Sequence, residues 1–456
     1  MQNESADTAL INKYNKPVPR YTSYPTVPFW TDSPDTEKWV RQFTDRFRQV
    51  NGSNGMSLYI HLPFCESLCT YCGCNKKITT NHSVEEPYLD ALEKEWLHYI
   101  TRINDIPVIK ELHLGGGTPT FFAPGNLERL LNFITTRSVV HPQCDFSIEG
   151  HPNNTTADHL QVLYDAGFRR ISYGIQDMDP VVQRIINRIQ PLENVVRATE
   201  AARAIGFQSI NYDLIYGLPL QSLNSIRDTI RKIVPLKPDR IAFYSYAHVP
   251  WVSKAQRLFD ESHLPSPEEK LNLYLEGKKM LINAGYADIG MDHFSLPTDE
   301  LYIAWKKGKL HRNFMGYTTQ QTGMLLGLGV SAISDTGNAY AQNEKSLHDY
   351  YAAVNAGNPA IAKGYFLDET DIAFKQYILN ISCNGGTSLQ KEHEELLEEF
   401  VFPRLAELKE DGIIEFDKKN VKVTPKGRSF IRNICSAFDL YLQKKQTKEF
   451  LFSKSI

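Results

Sequence analysis

The stretch Leu58-Tyr-Ile-His-Leu-Pro-Phe-Cys-Glu-Ser-Leu-Cys-Thr-Tyr-Cys-Gly-Cys74 carries four of the seven cysteines of this 456-residue chain. Three residues separate Cys65 from Cys69 and two separate Cys69 from Cys72, while Cys74 follows after one more. Thiolates crowded on one short loop can converge on a soft metal centre, and cysteine thiolates are the usual ligands of iron-sulfur clusters. The stretch therefore predicts a metal-cluster site.

Three thiolates on a four-iron cube leave one iron free to chelate a small molecule. A structural zinc site is the main alternative, but zinc normally takes four ligands from two separated pairs, and no second pair follows. Disulfides are disfavoured because Cys144, Cys383 and Cys435 are scattered along the chain. Cys74 is either a fourth ligand or a neighbour. The single residue between it and Cys72 favours a nearby role without ligation.

Length and composition narrow the class of protein. A chain of 456 residues should hold two to three domains, and 42% hydrophobic with 23% charged residues is typical of soluble proteins. A net charge of -3 argues against a nucleic-acid-binding face. The lack of an apolar run near 20 residues argues against a membrane span. Free thiols favour a reducing cytoplasm, and we expect a monomer because no feature of the sequence indicates a dimer interface.

Apolar strand-like runs alternate with helical patterns from Ser57 to Ala247. Six strand-helix units in series predict a parallel sheet with right-handed crossovers, and they are too few to close an eight-fold barrel. We therefore expect an α/β fold, an open six-stranded (βα)6 partial TIM-type barrel. The predicted strands are 57–62, 108–115, 144–150, 169–176, 209–216 and 239–246.

The flanking segments have different compositions. Residues 1–55 predict an extended, proline-rich N-terminal arm and a helix, and 56–367 a catalytic domain whose partial barrel ends near 250 and continues as a glycine-rich, site-lining extension. Residues 368–456 alternate charged helical patterns with two short strands, which is typical of a small, mostly helical, winged-helix-like domain. Without a basic excess, we expect this domain to pack or to act as a lid.

Candidate ligand-binding residues lie at the carboxyl ends of the predicted strands, where the sites of parallel sheets gather. The glycine turn 115–118 lets backbone approach a ligand closely. Glu149 and Asp213 can accept hydrogen bonds from ribose hydroxyl or ammonium groups, or instead cap the following helices. Arg188 either pairs with a carboxylate or lies on a solvated helix face. Tyr59, on the first strand, either joins the core or contacts the ligand.

Several longer blocks strengthen this interpretation. They are Lys13-Tyr-Asn, Arg20-Tyr-Thr-Ser-Tyr-Pro25, Tyr59 to Cys74, Gly115-Gly-Gly-Thr-Pro-Thr120, Tyr173-Gly-Ile-Gln-Asp177, Asn211-Tyr-Asp-Leu-Ile-Tyr-Gly-Leu-Pro219, Tyr246-Ala-His-Val-Pro250, Met291-Asp-His-Phe294, His311-Arg-Asn-Phe314 and Arg432-Asn-Ile-Cys435. Together they closely resemble the oxygen-independent coproporphyrinogen III oxidases (dehydrogenases), a family of the radical S-adenosylmethionine (SAM) superfamily. The resemblance runs from about residue 11 to the C-terminus.

The resemblance implies a [4Fe-4S] cluster on Cys65, Cys69 and Cys72, with Cys74 outside the ligand set. It makes Cys74 and Tyr59 candidate catalytic residues. It further implies two SAM molecules in each chain. The first would contact Tyr59, Gly116, Glu149 and Ile333. The second would lie near Tyr71, Gly117, Thr118, Gln176, Arg188, Asp213 and Ala247.

The implied reaction converts two propionate side chains of coproporphyrinogen III to vinyl groups, giving protoporphyrinogen IX in anaerobic haem (porphyrin) biosynthesis. The reduced cluster would cleave SAM to methionine and a 5'-deoxyadenosyl radical, which removes hydrogen from a propionate β-carbon before carbon dioxide and one electron leave. An electron donor such as flavodoxin or ferredoxin is implied. A substrate with four carboxylates needs cationic partners, and Arg20 and Arg312 are our candidates, with Lys13 a weaker one.

Two other functions share part of this pattern. Haem chaperones keep the cysteine signature but lack the Arg20-Tyr-Thr-Ser-Tyr-Pro25 arm, and the blocks at His311 and Arg432 tell against a radical SAM enzyme that opens haem. One departure from the family pattern is Gly150-His151 before Pro152, where an apolar residue and an aspartate are more common. That departure leaves the surroundings of Glu149 open.

Overall fold

The computed structural model describes residues 9–251 and 253–444. Its strands are β1 (Thr31–Asp32), β2 (Met56–Leu62), β3 (Phe64–Cys65), β4 (Lys77–Ile78), β5 (Val108–Gly116), β6 (Val139–Gly150), β7 (Phe168–Gln176), β8 (Ser209–Tyr216), β9 (Arg240–Ser245), β10 (Ala287–Gly290), β11 (His293–Ser295), β12 (His311–Asn313), β13 (Gly316–Thr318), β14 (Leu325–Leu328), β15 (Ile333–Asp335), β16 (Ala339–Asn343), β17 (Ile361–Phe366), β18 (Gly386–Ser388), β19 (Ile414–Phe416) and β20 (Asn420–Val423).

The α-helices are Thr36–Val50, Glu85–Ile103, Pro124–Thr135, Ala157–Asp165, Pro180–Ile185, Leu192–Ile205, Leu223–Ile233, Pro267–Asn283, Glu300–Lys306, Leu347–Asn355, Glu369–Asn384, Glu394–Leu396, Phe402–Glu410, Ile431–Ser436 and Leu440–Lys444. A π-helical turn, Leu397–Val401, runs into the helix that begins at Phe402, with Pro403 in its first turn. No helix in the described part of the chain has the length and apolar character needed to cross a bilayer.

The six predicted strands form the centre of the fold. They are β2, β5, β6, β7, β8 and β9, and they pair in that order, each parallel to the next. β2 lies beside β5 with Leu58 opposite Leu112, and both side chains are fully buried. The predicted α/β fold with a central parallel sheet is confirmed. Most predicted strand ends agree within one residue, although β6 begins five residues earlier than expected.

The sheet is wider than the six predicted strands. Within the described residues it holds 13 strands, in the order β1-β17-β16-β15-β14-β2-β5-β6-β7-β8-β9-β11-β10. β14 adds to β2 in parallel, whereas β15, β16, β17 and β1 follow as antiparallel neighbours. Six strands were expected because most of the added strands are only two to five residues long, too short to show an alternating pattern. Part of the glycine-rich extension is therefore sheet rather than loop.

Polar side chains cap the N-termini of helices that follow the site-forming strands. Thr156 accepts the His159 backbone N–H, and Ser222 accepts that of Ser225, so each caps its own helix. Asp179 accepts the backbone N–H groups of Val181 and Val182 and caps the helix Pro180–Ile185. These caps fix the loops that follow each strand.

A second apolar cluster ties the N-terminal arm to the end of the chain. Tyr21 and Tyr24 are 3% and 1% exposed, and they pack with Phe374, Leu405 and Ile434. The arm is therefore a packed element rather than a solvated tail. Beyond it, β18, β20 and β19 form a three-stranded antiparallel sheet between helices. The division into domains and the winged-helix interpretation stay predictions.

Candidate active site

A cavity of about 740 Å³, which we call the main cavity, opens at the carboxyl ends of the parallel strands. It is bounded by the cysteine loop, the glycine turn after β5, and the ends of β6, β7 and β8. The predicted site residues that line it are Cys65, Tyr71, Cys69, Cys72, Cys74, Gly116, Gly117, Thr118, Glu149, Gln176, Arg188 and Asp213. Strand order predicted that the glycine turn, Glu149, Gln176 and Asp213 would meet at this edge of the sheet, and the structure brings them together.

The cysteine loop, residues 65–74, is held in place by hydrogen bonds to its backbone groups. The side-chain amide of Asn187 donates to the carbonyl of Leu68 at 2.8 Å, and the Thr70 N–H donates to the carbonyl of Ile186 at 3.0 Å. Gln256 Nε2 donates to the carbonyl of Tyr71 at 3.1 Å. These bonds leave the cysteine sulfurs available to the cavity.

Polar groups contact two of the sulfurs. The Thr118 hydroxyl lies 3.3 Å from the Sγ of Cys65, and Arg188 Nη1 lies 3.7 Å from the Sγ of Cys69. Burial raises the pKa of the Cys65 thiol to about 11, while the Thr118 hydrogen bond opposes that rise. A hydrogen bond from Cys74 lowers the pKa of the Cys72 thiol. Hydrogen-bond donors aimed at sulfur stabilise the thiolate form that ligates metals.

The donor set fits a cluster better than a single ion. Within the described residues, no group of three His, Cys, Asp or Glu side chains is close enough together to hold one metal ion. A multi-iron cluster makes no such demand because each thiolate ligates a different iron, so the sulfurs stand further apart. Three thiols on one loop facing one cavity therefore match an iron-sulfur cluster.

The glycine turn packs directly against the strand that leads into the cysteines. Gly117 N–H donates to the carbonyl of Leu62 at 2.9 Å, and Thr118 N–H donates to that of Phe64 at 3.0 Å. A Cβ on Gly117 would lie 2.5 Å from the Pro63 carbonyl oxygen, and Gly116 has a φ of +119°. Glycine is thus required here by backbone packing as well as by ligand access.

Glu149 and Asp213 both face the cavity, and neither caps a helix, since Thr156 and Ser222 do so. Gly116 N–H donates to Glu149 Oε2 at 3.2 Å, and His113 Nε2 lies 3.5 Å from Oε1. The Glu149 side chain is 47% exposed, so burial only partly disfavours its ionised form, and these two partners hold its pKa below the usual range.

Asp213 behaves in the opposite way. Burial, followed by repulsion from Glu149, raises its pKa to about 6, despite hydrogen bonds from Ser172 at 3.1 Å and Asn211 at 2.8 Å. Two nearby carboxyl groups therefore differ in charge as the pH falls toward 6.

Gly150-His151 leaves Glu149 in place. A Cβ on Gly150 would lie 3.0 Å from Thr155 Oγ1, so the position has little room. His151 lines the main cavity, and burial together with Arg188 lowers its pKa to about 2. The histidine is therefore neutral and adds no charge beside Glu149.

Three predicted cofactor residues lie outside the lining of the main cavity. The Tyr59 hydroxyl is 3.0 Å from His61 Nδ1, and its ring lies beneath the glycine turn, 3.0 Å from where a Gly115 Cβ would be. The Ala247 carbonyl accepts the Gln256 amide that also holds the cysteine loop. Ile333 begins β15 and pairs with Gln342.

Arg20 and Arg312 lie in a separate cavity of about 170 Å³, which we call the arginine cavity. A third cavity of about 130 Å³, which we call the interior cavity, shares wall residues with both regions. Ser172, Glu149 and Asp213 line both it and the main cavity, whereas Tyr244 and His293 line both it and the arginine cavity. Sequence analysis missed Arg432 and Asp292, which also line the arginine cavity, although both lie in the blocks that carried the resemblance.

Comparison with known proteins gives consistent matches. Residues 59–233 match the sequence profile of the radical SAM superfamily. The oxygen-independent coproporphyrinogen III oxidase of Escherichia coli (strain K12) is 41% identical over 445 residues, covering 96% of each chain. That of Synechocystis sp. is 39% identical over 463 residues, covering 98% of this chain and 97% of the relative. The solved structure of coproporphyrinogen III oxidase from Escherichia coli, described as a radical SAM enzyme, superposes with a TM-score of 0.87 at 38% identity, covering 95% of this chain and 98% of that one.

Proposed function

This chain belongs to the oxygen-independent coproporphyrinogen III oxidases, oxidoreductases of haem biosynthesis within the radical SAM superfamily, and we propose that it converts two propionates of coproporphyrinogen III to vinyl groups, yielding protoporphyrinogen IX. The observation that carries the proposal is the convergence of Cys65, Cys69 and Cys72 with the glycine turn and Glu149 around one cavity. Its volume of about 740 Å³ lies toward the upper end of the range of small-molecule sites, which is about 300–1,000 Å³.

The residues have separate tasks in this proposal. When bound, the [4Fe-4S] cluster and SAM supply the electron and the hydrogen-abstracting radical. The Glu149 carboxylate stays ionised and accepts hydrogen bonds from ammonium or hydroxyl groups. Arg188, beside Cys69, offers its guanidinium to a SAM carboxylate. His151 remains neutral and excludes a competing charge.

We propose that the site would hold two SAM molecules, each contacting a different set of residues. Two contacts support this proposal: Gly116 lies beside Glu149, and Thr118 lies beside β3. The first SAM takes Tyr59, Gly116, Glu149 and Ile333, and the second takes Tyr71, Gly117, Thr118, Gln176, Arg188, Asp213 and Ala247. Tyr59, behind the turn, and Cys74, beside Cys72, remain the proposed catalytic residues outside the ligand set.

The reaction also requires partners. A reductant such as flavodoxin or ferredoxin would deliver the electron that starts each cycle. A reducing cytoplasm suits thiols that must stay open for a cluster. We propose that the chain acts as a monomer.

The test is an anaerobic assay of the reconstituted full chain with SAM, dithionite and coproporphyrinogen III. Divinyl product should form together with methionine and 5'-deoxyadenosine, as measured by chromatography after oxidation. If the cluster forms and SAM is cleaved but no vinyl group appears, the proposed substrate is wrong. If the substrate is untouched while haem binds tightly, a haem chaperone replaces the proposal.

A further inference from the structure

The arginine cavity is assembled from three distant parts of the chain. Arg20 comes from the N-terminal arm, Arg312 from β12 and Arg432 from the helix Ile431–Ser436. Asp292 is the acidic residue in its lining. His293 also faces it, but burial, together with Arg312, lowers the pKa of that imidazole to about 3. Burial raises the pKa of the Asp292 carboxyl group. The lining therefore holds three guanidinium groups and one carboxyl group, which gives it an excess of cationic side chains.

Arg312 is the strongest sign of a missing anion. Arg312 is 7% exposed, and neither its Nε nor its Nη1 has a hydrogen-bond partner among the described residues. The remaining nitrogen, Nη2, lies 3.5 Å from the Arg20 carbonyl, and the guanidinium sits 4.9 Å from the Tyr317 ring centre. Buried charged donors without partners are costly, and a carboxylate satisfies two guanidinium nitrogens at once.

The other two arginines are positioned by backbone and ring contacts. Arg20 donates to the Ser245 carbonyl at 3.3 Å and lies 5.3 Å from the Tyr244 ring centre. Arg432 donates to the carbonyls of Val18 and Pro19, on the arm just before Arg20. The cations are thus held in place before any ligand arrives, which lowers the entropic cost of binding.

The arginine cavity and the cysteine-lined main cavity are both neighbours of the interior cavity. The interior cavity shares Asp213 with the main cavity and Tyr244 with the arginine cavity. A large ring with carboxylates on its periphery can therefore present one edge to the main cavity while the opposite edge meets the arginines.

We propose that the arginine cavity binds the two propionates that coproporphyrinogen III retains, and that it holds them through both decarboxylations. This inference rests on the proposed function. A propionate that reacts loses its carboxylate as carbon dioxide, so only the retained pair offers a constant anchor. The excess of guanidinium over carboxyl groups in the lining favours a ligand that carries several carboxylates. The product keeps both groups and should therefore bind the same anchor.

Binding of stable oxidised porphyrins tests the assignment without requiring turnover. Coproporphyrin III, with four carboxylates, and protoporphyrin IX, with two, are titrated against the full chain by fluorescence. Arg312→Gln and Arg20→Gln should each weaken binding of both porphyrins by the same factor, about tenfold. Arg312→Lys should recover part of the affinity because it restores a cation. Arg231→Gln, at an exposed position on the helix Leu223–Ile233, is the matched control and should change neither.

The outcomes separate two failures. If only coproporphyrin binding weakens, the arginines hold a reacting propionate and the proposal is wrong. It is equally wrong if both variants bind both porphyrins within about twofold of the wild type, or if the wild type binds neither. Circular dichroism melts verify folding, and Arg20→Gln, on the partly buried arm, is the less disruptive change. Failure of wild-type turnover with intact porphyrin binding would instead count against the proposed function alone.

Discussion

The cysteine-lined main cavity and the arginine cavity differ in how the chain builds them. The main cavity takes its cysteines from one 17-residue stretch and its other groups from the ends of adjacent parallel strands. The arginine cavity needs three segments whose arginines stand at positions 20, 312 and 432. The first follows from local sequence and strand order, whereas the second exists only after distant segments have packed. We expect the first to govern cofactor chemistry and the second to govern substrate affinity.

The largest effect is expected from Cys69→Ser. A serine hydroxyl does not replace a soft thiolate, so SAM cleavage should fall to background while porphyrin affinity at the arginine cavity is kept. Iron content, visible absorption and released 5'-deoxyadenosine measure the loss. Cys144→Ser, on β6 and away from the loop, is the control and should retain full activity. A full complement of iron in the Cys69 variant would contradict the assignment.

Gly117→Ala should come next, with about a hundredfold loss of SAM cleavage. Its new Cβ would lie 2.5 Å from the Pro63 carbonyl oxygen and push away the backbone that leads into β3. Gly125→Ala makes a matched control, since a Cβ there meets nothing within 4 Å. Equal iron content and equal rates in both alanine variants would show that the glycine turn does not support the cluster loop.

The pH dependence of SAM binding should show the raised pKa of Asp213. Because that pKa is about 6, the carboxylate is protonated as the pH falls through 6, and SAM affinity should drop about tenfold between pH 7 and pH 5 if the carboxylate is required. Glu149 has a lowered pKa and stays ionised over most of that range.

The stability of the folded state does not follow the same pH trend as SAM affinity. A carboxyl group with a raised pKa in the folded state makes that state gain stability, not lose it, as the pH falls through 6. Asp213→Asn should bind SAM weakly at every pH, so its affinity profile should be flat. An unchanged, sloping profile in that variant would assign the titration to another group.

The smallest effect is expected for Lys13→Met. Lys13 lies on the same arm as Arg20, but its Nζ pairs with Asp411 at 2.6 Å and Glu407 at 3.1 Å, away from the arginine cavity. Exposed ion pairs of this kind are screened by water, so porphyrin affinity should change less than about twofold. A loss as large as that of Arg20→Gln would mean that the whole arm, rather than its arginine, controls affinity.

Sequence patterns predicted the parallel strands because buried strands produce long apolar runs, as in β2 and β5. The short strands β14 to β17 escaped prediction because three to six residues carry too little periodicity. β14 pairs with the free edge of β2, and that edge exists only in the folded sheet.

The same distinction applies to individual site residues. Glu149 and Asp213 were found because they end parallel strands, and all such ends meet at one edge of the sheet. Arg432 had no comparable signal, since its side chain reaches the cavity only when the last helices pack beneath the arm. The contact of Thr118 with Cys65 likewise depends on how closely two backbones approach.

The packing of the arm against the end of the chain also sets the order of events during synthesis. The Asn433 side-chain amide donates to the carbonyl of Tyr14, a residue 419 positions earlier. At a translation rate of about 5–20 residues per second, the arm waits about 20–80 seconds for this partner to leave the ribosome. The parallel sheet and the cysteine loop can form in that interval, whereas the arginine cavity cannot. Under the proposed assignments, a nascent chain therefore completes its cluster site before its substrate site.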